Sequence, residues 1–334
     1  MEKIRISVSK YTYDILLKDM EYFEIFKPNG EINKNEFLNR LIINYADDFT
    51  LDTKEQWDEV IKLVNKYTDL DQYDRANLTG EIISSLKDNF FFRNIDDESK
   101  IISLKPTKES SSLIEYLISE EINNQSISSF FREMFDSYVN MVQTMRERII
   151  FEKEFKVISK SLEKNRKVFI KLKNDKSVPI IGSVYAVVDS KEELFNYILL
   201  DVNGKIQTIR LARIALVKIM NEPASFNQNI LSLMDYQIEN GVQFTVSEQD
   251  MEVVKVKMTE RGLKLYRKMY LYRPNYHQVD GDIFYFKGSH EKIFNYFKRF
   301  GKDAIIVHPA YLKERMEHFY KSGWKGYLNI DPID

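Results

Sequence analysis

Polar and apolar residues alternate through Lys3-Ile4-Arg5-Ile6-Ser7-Val8-Ser9. The period of two predicts a β-strand with Ile4, Ile6 and Val8 on one face and Lys3, Arg5 and Ser7 on the other. Ser9 is placed to cap a helix. Ile15, Leu16, Met20 and Phe23 then recur at helical spacing and predict a helix reaching about Phe26. Pro28-Asn29-Gly30 is turn chemistry. Asn33 caps a second helix with Phe37, Leu38, Leu41, Ile42 and Tyr45 along one stripe. The plan then repeats: a strand at residues 100–105, a helix at 109–118, a turn at 123–126 and a second helix. Residues 37–45 align without gaps on residues 130–138, and the apolar positions coincide except at Ile43, where the second copy has Asp136. A lone strand cannot form a ribbon. Two copies in one chain therefore predict an antiparallel pair made internally, the second strand facing outward with Ile101, Ser103 and Lys105.

Between the copies, residues 51–96 read as helical and acidic, with stripes of Trp57, Val60, Ile61 and Val64 and of Leu78, Ile82, Ile83 and Leu86. After them, residues 137–162 read as one helix carrying Met141, Met145, Ile149 and Phe155. Lysines outnumber acids from Glu152 to Lys176, and Lys171 and Lys173 alternate with apolar residues on a strand that leads to the one around Tyr185. That basic run is either a solvated surface or a stripe that follows a phosphate backbone.

Residues 195–217 predict a hairpin. Phe195 to Val202 is strand-like, and Asn203-Gly204 is the dipeptide of a two-residue turn, whose central residues take positive φ. Arg210 and Arg213 lie in the apolar return strand. An arginine in an apolar strand needs a partner: an internal carboxylate, water at a sheet edge, or an external anion such as phosphate. From Pro223 a helical piece carries Ile230, Leu231, Met234, Tyr236 and Ile238. Strands at 253–258, 282–287 and 304–308 then alternate with helices, which predicts a small α/β layer.

Composition narrows the chemistry. The chain has 334 residues, a formal net charge of −2 and no cysteine, so thiolate chemistry and disulfides are excluded and nucleic-acid binding has to come from local patches. No apolar run approaches the roughly 20 residues that span a bilayer, and the N-terminus lacks a signal-peptide core; a cytoplasmic protein without membrane contact is expected. There is no phosphate-binding loop, dinucleotide fingerprint or nucleophile elbow. The four histidines fall in the last quarter without metal-ligand spacing. No enzyme, cofactor or metal is expected.

Strand, helix, turn, helix in about 47 residues resembles the ribbon-helix-helix family. The resemblance implies that Lys3, Arg5 and Ser7 read DNA and that the amides of Asn33, Lys34 and Asn35 clamp a phosphate. An edge strand with a solvated face, serving only as scaffold, fits the same pattern. Asn196-Tyr197-Ile198 followed by the turn and by residues 209–214 resembles the core of a WYL domain, whose family fold is a small Sm-like β-barrel that senses nucleotides or nucleic acid. Residues 300–309 resemble the extension that follows WYL domains and helps them dimerise.

The whole chain resembles the WYL-domain accessory proteins of type VI-D CRISPR systems, on residues 9–30, Arg146-Glu147-Arg148-Ile149-Ile150-Phe151, Asn196-Tyr197 and Phe300-Gly301-Lys302-Asp303. The implied protein is an α+β homodimer. It comprises ribbon-helix-helix halves at 1–50 and 98–142, a helical insert at 51–97, a linker helix at 143–165, a WYL domain at 166–222 and an α/β extension at 223–334. It binds single-stranded RNA in preference to DNA and modulates a CRISPR effector nuclease without cutting RNA. Tyr185, Tyr197, Arg210, Arg213, Lys171 and Lys173 form the expected binding set. The competing reading is a DNA-binding transcriptional regulator whose WYL domain senses a nucleotide or nucleic acid.

Overall fold

The strand pairing expected within one chain is made. A computed structural model, which describes residues 2–90, 98–122, 126–173 and 178–328, places β1 (Ile4–Ser9) antiparallel to β2 (Ser99–Leu104), Ile4 opposite Leu104 and Ser9 opposite Ser99. Ile6, Val8, Ile102 and Leu104 point inward and are buried. Lys3, Arg5, Ile101 and Lys105 are exposed, and Ser7 and Ser103 half-buried, on the other face. The turn at 123–126, but for Ser126, falls outside the described residues, as does Lys176 of the basic run.

The ribbon belongs to the first of two units, Met1–Phe155. Around it lie α1 (Lys10–Tyr22), α2 (Lys34–Tyr67), α3 (Gln72–Phe90), α4 (Lys108–Tyr116), α5 (Ile127–Val139) and α6 (Gln143–Ile150), with α7 (Glu152–Glu163) crossing into the second unit. Three expectations change. α1 ends at Tyr22, not near Phe26, because Phe23 caps it and Glu24 turns to a φ of 54°. α2 runs unbroken through the expected boundary at residue 50. The single helix expected over 137–162 is three helices, and Met145 is exposed.

The repeat explains the packing. Tyr45 of α2 and Tyr138 of α5 occupy matching repeat positions and meet at 6.5 Å between ring centres. Matching positions also grip the ribbon crosswise. Asn35 accepts the amide of Lys105 at 2.8 Å and Asn39 donates to its carbonyl at 3.2 Å. In the second copy Ser128 donates to the Arg5 carbonyl at 3.2 Å and Arg132 to that of Ser7 at 3.0 Å. Each copy's second helix thus holds the other copy's strand. Asp136, the one break in the apolar match, accepts the Thr12 hydroxyl at 2.5 Å.

Behind the ribbon, Asp19 is fully buried and bound bidentately by Arg146, at 2.6 Å to Nε and 2.9 Å to the terminal nitrogen. Tyr138 donates to the same carboxylate at 3.0 Å, and Arg146 also donates to the Met141 carbonyl at 2.5 Å. Burial, and then the Asp19 charge, push the Tyr138 phenol well above its usual range.

In the second unit, Lys156–Asp334, five antiparallel strands come first: β3 (Arg166–Leu172), β4 (Ile180–Asp189), β5 (Asn196–Val202), β6 (Lys205–Arg210) and β7 (Ile214–Pro223). Their order is β6-β5-β4-β3-β7. The expected closed barrel is not formed, since β6 and β7 are the two edges and do not pair. They are nevertheless joined only by the single 3₁₀ turn Leu211–Arg213, so the sheet has to curl until its edges approach there. Arg213 therefore lies in a turn, and the one return strand expected through 217 is two strands. β7 extends through Pro223, where a helix was expected.

α8 (Gln228–Asn240) buries Leu233, Met234 and Gln237. β8 (Val254–Met258), α9 (Glu260–Lys268), β9 (Tyr276–Asp280), β10 (Ile283–Phe286), α10 (His290–Phe297), β11 (Ala304–His308) and α11 (Ala310–Leu328) complete the chain. Their sheet order, β11-β8-β10-β9, is that of a split βαβ layer. β9 was not expected, since all five of its residues are exposed. Tyr296 is buried under this sheet; its hydroxyl donates to the Met269 carbonyl at 2.6 Å, and burial raises its pKa to about 12.

Arg146→Met leaves Asp19 buried without its counter-charge and is expected to cost about 3–5 kcal/mol in urea unfolding, most of which the double variant Asp19→Leu/Arg146→Met recovers. Tyr296 favours folding while it is protonated in both states. Its contribution is complete below pH 10 and is lost as pH rises from about 10, the unfolded value, through about 12, the folded one. Unfolding midpoints measured across that interval should fall less steeply in Tyr296→Phe.

Candidate nucleic-acid interface

The hairpin at the centre of the sequence expectation is built as read. Asn203 and Gly204 take φ of 55° and 77°. The buried Asp201 holds the turn, accepting the Gly204 amide at 2.7 Å with one oxygen and the Asn227 amide at 2.7 Å with the other. Asp201 thereby ties the hairpin to the start of α8. These groups line a polar cleft of about 820 Å³.

The six residues expected to bind divide. Tyr197 and Arg210 are direct cross-strand neighbours, so their side chains share one face of the sheet. The Tyr197 hydroxyl donates to Glu193, and the Arg210 guanidinium carbon lies 3.3 Å from the Phe195 ring centre. Arg213 is exposed, and its carbonyl accepts the Lys173 amide at 2.9 Å. Lys171 is exposed on β3. Register thus sets Tyr197 beside Arg210, the 3₁₀ turn carries the chain from Arg210 to Arg213, and Lys173, two residues beyond Lys171, meets Arg213 through the backbone. Tyr185 stands apart at a bulge in β4, packed edge-on against Phe226, with its hydroxyl 2.5 Å from Asp235. That hydrogen bond raises its pKa. Tyr197, Lys173, Arg210 and Arg213 all engage other groups of the chain; unmet arginine charge does not mark the site.

Phe169 and Lys218 stand outside the expected set. The β3–β7 register sets Lys218 opposite Phe169 and Leu216 opposite Lys171. Val168, Ile170 and Val217 face the core, so Phe169, Lys171, Leu216 and Lys218 share the outer face. Lys167 extends the row and is paired with Glu222 at 3.0 Å. A lone lysine in the apolar stretch Ile214–Met220 is the only sequence signal for Lys218, and its neighbours appear only once the register is known.

At the ribbon, Lys3, Arg5 and Ser7 face outward as expected. The phosphate clamp is corrected. The Asn33 amide already donates to the Ile25 carbonyl at 2.9 Å, and its side chain caps the Glu36 amide at 3.3 Å. Glu36 brings negative charge of the protein's own to the helix start, paired with Arg40 at 2.8 Å. Lys34 donates to the Tyr13 hydroxyl at 3.1 Å, and the Asn35 side chain holds Lys105. Only the Lys34 and Asn35 amides are left for an anion. Among the described residues no three His, Asp or Glu side chains converge to hold a metal ion, and no helix is long and apolar enough to cross a membrane.

No protein-family model matches the chain, and no curated protein does. Among solved structures, the crystal structure of a CRISPR Cas-related protein is similar at 17% identity and a TM-score of 0.65, covering 98% of this chain and 94% of that one. Proteasome accessory factor B/C (PafBC) of Arthrobacter aurescens is matched at 12% identity and a TM-score of 0.26, over 70% of this chain and 39% of that one. The first likeness is one of fold, sustained over nearly the full length.

Gly204→Ala puts a side chain into left-handed backbone and its Cβ 2.8 Å from the side-chain nitrogen Nδ2 of Asn227. It is expected to cost about 1–2 kcal/mol, read as a lowered melting temperature, whereas Asn203→Gly should change it little.

Proposed function

We propose that this chain is a non-enzymatic accessory protein that binds single-stranded RNA on its five-stranded sheet and modulates an RNA-guided CRISPR ribonuclease. The observation that carries the reading is the outer face of β3 and β7. Phe169, Lys171 and Lys218 stand there in register, and Arg213 and Lys173 adjoin at its end. An aromatic ring between cations supplies base stacking and phosphate attraction together, which suits a strand with unpaired bases. The chain's net charge of −2 makes such a local patch necessary.

The finer fold assignments belong to this reading. A curled five-stranded sheet with a 3₁₀ turn between its last two strands suits the Sm-like WYL domain. Crosswise gripping of a two-stranded ribbon by paired helices suits a ribbon-helix-helix pseudo-dimer. The CRISPR context rests on the full-length fold likeness to the CRISPR Cas-related protein. A homodimer joined through the C-terminal layer accords with the WYL resemblance.

A second reading has one observation in its favour: Lys3 and Arg5 lie exposed on the ribbon's outer face, where a DNA-reading ribbon carries its contacts. Fluorescence anisotropy separates the two. Lys171→Glu/Lys218→Glu should weaken single-stranded RNA binding about tenfold or more and flatten the salt slope by about 1.4, or 0.7 for each lost phosphate contact. The melting temperature should hold, because both lysines are exposed. Lys3→Glu/Arg5→Glu should leave RNA binding intact. RNA affinity unchanged in the first variant, with duplex DNA affinity lost in the second, transfers the function to the ribbon.

A further inference from the structure

The basic row on β3 and β7 runs into the polar cleft. Lys167, Phe169 and Lys171 alternate along β3 and share its outer face. Phe169 has Lys218 as its direct partner on one side and Ile181 of β4 on the other, so Ile181 stands on that face too. Lys167 and Ile181 also line the cleft of about 820 Å³ beside the Asn203-Gly204 turn. Small-molecule sites occupy roughly 300–1,000 Å³, a range that includes it. The cleft therefore opens beside Phe169, at the end of the row.

Its lining combines apolar walls with polar groups that can still bond. Val178 and Ile181 are 84% and 43% exposed, and Phe226 is half-buried. The buried Ser183 accepts the Ser225 amide at 2.9 Å, and its own hydroxyl proton has no acceptor among the described residues. Each oxygen of the buried Asp201 accepts one amide and retains a lone pair for a second donor.

Charge decides which part of a nucleotide enters. The lining holds one cation, Lys167, already paired with Glu222, and two carboxylates, Glu222 and Asp201. Phosphate is disfavoured there and belongs on the row, at Lys171 and Lys218. A base, apolar on its faces with donors and acceptors on its edge, matches apolar walls around polar groups. Carboxylates accept from an exocyclic amino group such as cytosine N4. Uracil presents a carbonyl oxygen at the same position, and a carboxylate repels it.

We propose that the cleft receives one base of the bound strand, turned off the basic row, and selects a base with an exocyclic amino group over uracil. The site rests on the proposed function, because the row holds the phosphates of the same strand. Stacking and phosphate contacts on the row tolerate any sequence. The cleft adds a sequence preference.

Fluorescence anisotropy of the full chain with oligocytidine and oligouridine of equal length tests this. The parent should bind oligocytidine about tenfold or more tightly. Ser225→Trp adds bulk at an exposed position of the lining, and Asn203→Gly/Phe226→Ala removes an edge contact and a wall. Each should bring the two affinities within about twofold by weakening oligocytidine alone, with the salt slope unchanged because no phosphate contact is lost. Ser225→Trp should melt with the parent. Equal affinity of the parent for both strands overturns the cleft and leaves the row standing, as does selectivity that survives both variants. A parent that binds neither strand overturns the proposed function and the cleft with it. Free cytidine monophosphate should bind with a Kd of about 1 mM or weaker. Tighter binding that survives Lys171→Glu/Lys218→Glu makes the cleft a mononucleotide site and overturns the strand assignment.

Discussion

A β-strand has no partner for its own backbone, and this constraint shapes the first unit. β1 and β2 complete one ladder although the 89 residues from 10 to 98 separate them. A two-stranded ribbon is marginal by itself. Here β1's outward carbonyls at Arg5 and Ser7 are taken by Ser128 and Arg132, and the end of β2 is taken by Asn35 and Asn39. The helices that supply those side chains meet through Tyr45 and Tyr138. The Asp19–Arg146 pair below them joins α1 to α6. Loop closure over so long an insertion costs little more than over a short one, which leaves room for the long α2 and for α3.

In the second unit the decisive geometry is the short passage from β6 to β7. A single 3₁₀ turn between opposite edges forces the sheet to curl. The curl brings Lys173 against Arg213 and lines Phe169, Lys171 and Lys218 along one outer face. A chain with almost balanced charge thereby gains a concentrated basic surface. Charge of the opposite sign is gathered in residues 47–59 of α2, six carboxylates to one lysine.

Much of this was legible in the residues. Alternation at the N-terminus, the Asn203-Gly204 turn and the repeat of residues 37–45 at 130–138 are local patterns, and each led to the observed element. What escaped was set by contacts between distant segments. Asp19 reads as a polar position on an amphipathic helix, and the distant Arg146, 127 residues away, together with Tyr138, makes its burial tolerable. Lys218 reads as an isolated cation until β3 is placed beside it. β9 buries none of its residues, so no apolar period announces it. Barrel closure was inferred from the family resemblance, whereas the hydrogen bonding of β6 and β7 leaves both edges open. The spacing of Arg210 and Arg213 suits a single strand, and nothing in it signals the turn that separates them.

The covalent fusion of the two strand-bearing copies has a further consequence. Ribbons assembled from two identical chains dissociate on dilution and repeat every substitution on both strands. Here the pairing is intramolecular and survives at any protein concentration. Each copy is also free to drift by itself, as Arg5 facing Ser103 and Ser7 facing Ile101 illustrate. Whatever meets that surface meets two unlike strands, and an asymmetric ligand can be accommodated there without breaking any molecular symmetry.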